Sequence, residues 1–92
     1  MGKSKSRVRH EDTVWVALDD IYVTEAVMRK LLARDLGQIE QMRLDYEDGR
    51  DMVRVVLHDR VDGGYNIEDG RHRVIAAKMA GVGFIEAVIV SR

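Results

Sequence analysis

The sequence predicts an α+β fold in which helices pack beside a small mixed β-sheet, with elements in the order β-α-α-β-β-α-β. Three observations support this prediction. Segments rich in valine and other β-branched residues recur near the start, in the middle and at the end of the chain. Apolar residues at helical spacing occupy the stretches between them. Glycine and aspartate mark the turns, since the chain contains no proline.

The first part of the chain predicts one strand and two helices. Thr13–Leu18 alternates its side chains as a half-buried strand does, and we expect Trp15 on this strand to be a core residue. Thr24 is the expected N-cap of the first helix, which should end near Gly37. A second helix with an imperfect apolar face follows, and Gly49 suits the position just after its end.

The second part of the chain predicts two short strands, a helix and a final strand. Asp62–Gly64 has the composition of a turn between the two short strands. The helix has the clearest apolar spacing in the chain, and Gly81 closes it. We expect Phe84, at the start of the final strand, to be a core residue. The four predicted elements are Met52–Leu57, Tyr65–Ile67, Arg71–Ala80 and Phe84–Val90.

Length and composition fit one domain, which we place over residues 13–92. A chain of 92 residues can bury one modest core, and 46% of the residues are hydrophobic while 34% are charged. No stretch approaches the roughly 20 apolar residues that cross a membrane, so no membrane partner is expected. The chain has no cysteine, which excludes disulfides, thiolate metal sites and cysteine nucleophiles. Without a visible secretory signal, a cytoplasmic location is the default expectation.

Residues 1–12 are predicted to form a flexible basic arm. Lys3, Lys5, Arg7 and Arg9 put four positive charges into the first ten residues. The other 82 residues hold 11 basic and 16 acidic groups, a balance of −5. Such an arm is either a solubilising tail or an electrostatic contact to nucleic-acid phosphates.

The stretch Asp69–Arg73 carries the strongest functional signal, because it joins a strand to a helix through a glycine. A helix start offers unpaired N–H groups and partial positive charge, both of which favour an anion. Gly70 lets a ligand approach the backbone, Arg71 and Arg73 bring guanidinium groups suited to phosphate, and His72 adds a donor. Cations at a helix start cost stability, as is typical where function overrides local propensity. We therefore predict a phosphate site at these four residues.

The acids beside this turn leave alternatives open. Asp69 is expected either to cap the following helix or to help hold a magnesium ion bridged by phosphate. Glu68 and Asp69 point opposite ways in an extended segment, so no metal site built from protein side chains is predicted. In a purely structural alternative, Arg71 and Arg73 pair with Glu68, Asp69 or other surface acids on a solvated face.

The turn lies within a longer distinctive segment, which reads D-G-G-Y-N-I-E-D-G-R-H-R-V-I-A-A-K-M-A-G over residues 62–81 and is followed by I-E-A-V-I-V over residues 85–90. These segments resemble the ParB/sulfiredoxin superfamily, especially its small ParB-like nuclease domain proteins. Val16–Ile21 fits the first strand of that fold, so the resemblance extends over residues 14–90.

The resemblance implies a site and a ligand class. In that superfamily the glycine-containing turn binds nucleotide phosphates, which implies that Gly70, Arg71, His72 and Arg73 contact the phosphates of a nucleoside triphosphate. Sulfiredoxins bind ATP there and use a cysteine directly after the glycine. Arg71 stands in the place of that cysteine, so the reductase activity is excluded.

The chain also departs from ParB proteins, which bind and hydrolyse CTP at this turn. ParB has Glu-Arg-Arg after the glycine, where this chain has Arg-His-Arg, and the Gln-Pro signature of ParB is missing around Gly49–Met52. The DNA-binding and dimerisation parts of ParB have no counterpart in these 92 residues. The resemblance therefore implies an isolated N-terminal fold, or a phage- or plasmid-borne relative, acting in a DNA-related process.

Three functions remain open on the sequence alone. The first is a nucleotide-binding domain, with or without slow hydrolysis of a nucleoside triphosphate. The second is a nucleic-acid-binding or nuclease protein that uses the same basic turn on backbone phosphates. The net charge of −5 over residues 11–92 suits duplex DNA poorly. The third is an adaptor or inhibitor of another protein that retains the fold without the ligand.

Overall fold

The computed structural model describes residues 13–91, so the predicted arm over residues 1–12 lies outside the described part of the chain. The fold is α+β, a four-stranded mixed sheet with two helices. A short 3-10 turn, Leu18–Asp20, follows the first strand. The elements in chain order are β1 Thr13–Ala17, α1 Glu25–Glu47, β2 Val55–Asp59, β3 Tyr65–Asp69, α2 Arg71–Ala80 and β4 Phe84–Val90.

The sheet has the strand order β1-β4-β2-β3. β4 pairs antiparallel with β1 and parallel with β2, which confirms that the sheet is mixed. β2 and β3 form the predicted antiparallel hairpin, and Gly63 and Gly64 turn the chain between them with φ of 103° and 75°. The hairpin matters for the site because β3 leads directly into α2.

The core consists of two apolar layers on opposite sides of α2. Val74 and Ala77 of α2 pack with Val55 and Leu57 of the sheet, and all four are fully buried. On the other side, buried residues of α1 pack against Ile75 and Ala76 of α2. Because α2 is enclosed between the sheet and α1, its first turn is held in place from two directions.

The two predicted helices are the two halves of α1, and the break between them lies at Asp35 rather than at Gly37. Asp35 leaves the helical region, with φ −125° and ψ 35°. Thr24 is the N-cap as expected, since its side chain accepts a hydrogen bond of 3.1 Å from the Val27 N–H. Gly49 follows the last helical turn with φ 73°, which confirms its predicted place.

Strand ends differ from their predictions by one to three residues. β2 begins at Val55 rather than Met52, and β3 continues to Asp69 rather than ending at Ile67. Both differences lie at the end of the hairpin that leads into α2. The predicted strand at Thr13–Leu18 ends at Ala17, because Leu18 begins the 3-10 turn.

The prediction that Trp15 and Phe84 are core residues is wrong. Trp15 is 68% exposed and Phe84 is 59% exposed. In the β1–β4 register, Val16 pairs with Ile85 on the buried face of the sheet, so Trp15 and Phe84 lie on the opposite face. Strong β-propensity placed these aromatics in strands, but it did not indicate which face α2 covers.

Neither α1 nor α2, the two helices within residues 13–91, is long and apolar enough to cross a membrane.

Candidate functional site

The predicted turn is a left-handed glycine between the end of β3 and the start of α2. Gly70 has φ 108° and ψ 31°, a conformation that favours glycine. A Cβ atom added here would lie 2.6 Å from Cγ1 and 3.0 Å from Cβ of Val55, which is fully buried. Glycine is therefore required both for the backbone angle and for close packing on β2.

The prediction that Asp69 caps α2 is wrong, because the N-cap is Gly70. Asp69 is instead the last residue of β3, and no side chain caps the helix. The first turn also has no acidic residue and carries Arg71, His72 and Arg73. The start of α2 therefore presents N–H groups and three basic side chains without a compensating carboxylate in the turn itself.

Arg73 is mostly buried, yet its contacts to the protein are weak. Its side chain is 19% exposed, and Nη2 lies 3.8 Å from Asp69 Oδ2. Nη2 also donates a long hydrogen bond of 3.4 Å to the carbonyl oxygen of Arg54. The buried Nε has no hydrogen-bond partner within residues 13–91. A guanidinium group so poorly matched by the protein retains most of its capacity to bind an anion.

Tyr46 of α1 borders this guanidinium group without neutralising it. Burial raises the pKa of Tyr46 to about 12, and the nearby charge of Arg73 opposes this only in part. The hydroxyl is therefore uncharged at neutral pH, and it has no hydrogen-bond partner in the described part of the chain. Within residues 13–91, the positive charge of Arg73 is therefore compensated only by the distant Asp69 carboxylate.

Arg71 is the most available cation of the turn. It is exposed, and no ion pair or hydrogen bond holds it within residues 13–91. The structural alternative expects Arg71 and Arg73 to pair with nearby acids. Within residues 13–91, the only such pairing is the long contact between Arg73 and Asp69. His58 is the residue that lies against Glu68, with Nδ1 3.0 Å from Oε1 but without the angle of a hydrogen bond.

His72 is directed toward α1. Its Nε2 lies 2.8 Å from Oδ2 of Asp35, and Arg34 Nε lies 3.0 Å from the same oxygen. The hydrogen bond from His72, and secondarily that from Arg34, lowers the pKa of Asp35. An ionised carboxylate can only accept, so His72 Nε2 carries the proton of this hydrogen bond.

The turn forms one wall of a pocket of about 290 Å³, and α1 forms the other. Four lining side chains are basic, namely Arg34, Arg71, His72 and Arg73, and two are acidic, Glu68 and Asp69. A second cleft, of about 530 Å³, shares Glu68 and Arg71 with the pocket and continues along Tyr22, Val27 and Ile67. The two cavities meet at these two shared residues, and we call them together the groove.

All four predicted phosphate-site residues line this pocket, but sequence reasoning missed its α1 wall. Arg34 and Gln38 also line it, and Asp35 lies in contact with it through His72. The only local signal was an aspartate in the last turn of the first predicted helix, where a negative charge is unfavourable. Lys3, Lys5, Arg7 and Arg9 lie outside the described residues. Within residues 13–91 no group of three or more histidine, aspartate or glutamate side chains is placed to hold a metal ion.

Comparison with known proteins gives structural matches only. No family model matches the chain, and no curated protein sequence matches it. Sulfiredoxin from Arabidopsis thaliana matches with a TM-score of 0.67 and 20% identity, over 87% of this chain and 85% of that protein. The chain therefore adopts the ParB/sulfiredoxin fold expected from its sequence.

Two further solved structures are longer proteins that share this fold in part. The C-terminally truncated chromosome-partitioning protein ParB from Caulobacter crescentus, complexed with CTP-gamma-S, matches with a TM-score of 0.69 and 15% identity, over 87% of this chain and 44% of that one. A conserved hypothetical protein from Pyrococcus furiosus matches with a TM-score of 0.63 and 22% identity, over 87% of this chain and 32% of that one. The chain thus spans less than half of either protein.

Proposed function

We propose that this chain is a nucleotide-binding domain that holds the phosphates of a nucleoside triphosphate at Gly70–Arg73. The observation that carries the proposal is the grouping of four basic side chains in one pocket at an uncapped helix start. Backbone N–H groups at such a start, together with guanidinium groups, suit the closely spaced negative charges of a triphosphate. The strongest side-chain donors are the poorly matched guanidinium of Arg73 and that of Arg71, which has no partner within residues 13–91.

A nucleotide suits the groove better than free phosphate does. The second cleft adjoins the basic pocket at Arg71 and is lined in part by apolar and aromatic side chains, including Tyr22 and Ile67. This arrangement offers a polar end for phosphates and a less polar end for a nucleoside. The solved ParB structure with CTP-gamma-S supports the same ligand class for this fold.

Hydrolysis is the further step to test. The acidic residues of the pocket do not form a metal site on their own within residues 13–91, so any magnesium there would take oxygen ligands from the phosphates. Asp69, 77% exposed at the pocket edge, is the carboxylate best placed to support such an ion. We therefore include magnesium in the binding test and measure released phosphate separately.

The test compares the binding of CTP, ATP, GTP and inorganic phosphate, with and without magnesium, to the full chain and to two variants. Each arginine donates charge-assisted hydrogen bonds worth about 1.5–3 kcal/mol, so Arg71→Ala and Arg73→Ala should each weaken nucleotide binding by roughly ten- to a hundredfold. Arg50→Ala is the matched control, since Arg50 is 67% exposed and does not line the pocket. Isothermal titration gives the affinities, and amide NMR shifts locate the site.

The outcomes separate the three functions that the sequence left open. Nucleotide binding with amide shifts over residues 69–74, weakened in the Arg71 and Arg73 variants and unchanged in the Arg50 variant, supports the proposal. Binding of duplex DNA in a parallel titration, with no nucleotide binding, would favour the nucleic-acid alternative. A folded protein that binds neither, at millimolar nucleotide, would leave the adaptor or inhibitor and reject the proposal.

A further inference from the structure

One carboxylate holds two of the pocket's basic side chains. Asp35 Oδ2 lies 2.8 Å from His72 Nε2 and 3.0 Å from Arg34 Nε. Both His72 and Arg34 line the pocket, whereas Asp35 is not one of its lining residues. Asp35 therefore contacts the pocket through these two side chains and not directly.

The backbone of α1 is broken at this contact. Asp35 has φ −125° and ψ 35°, outside the helical region, in the middle of an otherwise continuous helix. Its side chain is only 25% exposed and reaches across to α2, 37 residues further along the chain. Since the hydrogen bonds lower its pKa, Asp35 stays ionised and accepts from both partners. The break and the contact thus coincide in one residue.

We propose that Asp35 is a positioning residue for the phosphate site, which keeps Arg34 and His72 ordered at the pocket before a ligand arrives. This inference rests on the proposed function. With His72 Nε2–H committed to Asp35, Nδ1 is the ring nitrogen that remains for a ligand, and it donates to a phosphate oxygen when the imidazole carries both protons. Without Asp35, both side chains would have to be ordered when the ligand binds, which weakens affinity by about tenfold.

The Asp35 carboxylate should also weaken binding, because its negative charge repels a phosphate. Arg34 lies 3.0 Å from this carboxylate and compensates most of its charge. Solvent screens the remainder, since Arg34 is 59% exposed. The loss of order should therefore outweigh the loss of repulsion, and the sign of the change in affinity distinguishes the two effects.

The experiment measures binding of inorganic tripolyphosphate to the full chain by isothermal titration. Asp35→Ala should weaken binding by about tenfold, and Asp35→Asn, which keeps a hydrogen-bond acceptor, should lose less. Asp45→Ala is the matched control, because Asp45 lies on the same helix with 28% exposure and contacts Gln41 and Arg50 rather than the pocket. Imidazole ¹⁵N spectra follow His72 directly.

In the wild-type protein, tripolyphosphate should shift the Nδ1 signal of His72, and this response should be reduced in Asp35→Ala but unchanged in Asp45→Ala. If wild type does not bind tripolyphosphate, the proposed function fails and the inference fails with it. If wild type binds while Asp35→Ala binds equally well or more tightly, the positioning role alone is overturned. Should Asp35→Ala not fold, Asp35→Asn decides: an unchanged affinity and an unchanged His72 response overturn the proposal.

Discussion

Gly70 combines a backbone requirement with a packing requirement at the position where a ligand would approach. Its left-handed φ of 108° turns β3 into α2, and its missing side chain leaves room for Val55 of β2. A substitution here therefore changes the fold as well as the site. Gly70→Val, which the sequence alone suggests as a probe of backbone approach, would test stability first. Arg71 is the cleaner probe, since it is exposed and unpaired within residues 13–91.

Gly70→Ala should destabilise the protein substantially. The left-handed backbone alone costs an alanine about 1–3 kcal/mol, and the added Cβ would lie 2.6 Å from Val55 Cγ1. Gly37→Ala is the matched control, because Gly37 lies inside α1 and an added Cβ there meets nothing within 4 Å. That variant should gain about 0.5–1 kcal/mol. Urea unfolding of both variants checks the prediction, and similar midpoints for the two would contradict it.

The sequence predicted the residues of the turn but not the reason for its glycine. The G-R-H-R motif and its place between a strand and a helix are local features, and the structure has all four residues at the pocket. The contact with Val55 joins residues 15 positions apart, and nothing in the local pattern reveals it. For the same reason Asp69 was assigned as N-cap by residue preference alone, whereas the strand extends through it and Gly70 takes that place.

At the scale of the elements, the site lies where α1 packs across the start of α2. The apolar layer around Ile39 and Ile75 holds the two helices together, and the contact between Asp35 and His72 adds a polar link at the pocket. Helical periodicity predicted both halves of α1 and the full extent of α2, because it depends on residues a few positions apart. The pairing of α1 with α2 at Asp35 spans 37 residues, so periodicity carried no information about it.

This polar link should make the stability of the helix pair depend on acid. The folded-state pKa of Asp35 is lowered from its ordinary value of 3.8, so its contribution is fully present above about pH 4 and is lost as the pH falls through the lower folded value. Between pH 4 and the pH at which the protein unfolds in acid, wild type should therefore lose more stability than Asp35→Asn. Thermal melts across that range give the comparison, and parallel curves for the two proteins would show that the link contributes nothing.

At the scale of the whole molecule, the packing of α2 on one face of the sheet explains both the success and the failure of the sequence analysis. The element order and the mixed sheet follow from strand and helix patterns together with the family resemblance. The exposure of Trp15 and Phe84 does not, because both faces of β1 and β4 carry apolar residues and only the position of α2 selects the buried one. Hydrophobicity thus predicted the strands, and packing determined which of their residues form the core.

The charge of the whole chain leads to a prediction about its first residues. The first ten residues carry four positive charges, at Lys3, Lys5, Arg7 and Arg9, whereas the other 82 residues have a net charge of −5. Any retention of DNA should therefore depend on this first segment. Each phosphate neutralised contributes about −0.9 to the slope of log K against log salt, so removing four charges should flatten that slope by up to about 3–4. Deleting residues 1–10 should therefore weaken DNA retention at low salt.

The control replaces the same four residues with glutamine and keeps the length of the segment. Both proteins should lose DNA retention equally, and both should melt near the wild-type temperature, because the core described over residues 13–91 is formed by the sheet and two helices. If the deletion lowers the melting temperature while the glutamine variant does not, the segment contributes to folding through its backbone or Val8. Equal DNA retention by all three proteins would mean that the basic residues make no electrostatic contact with DNA, and nucleotide binding at the Gly70 turn would be unaffected by that result.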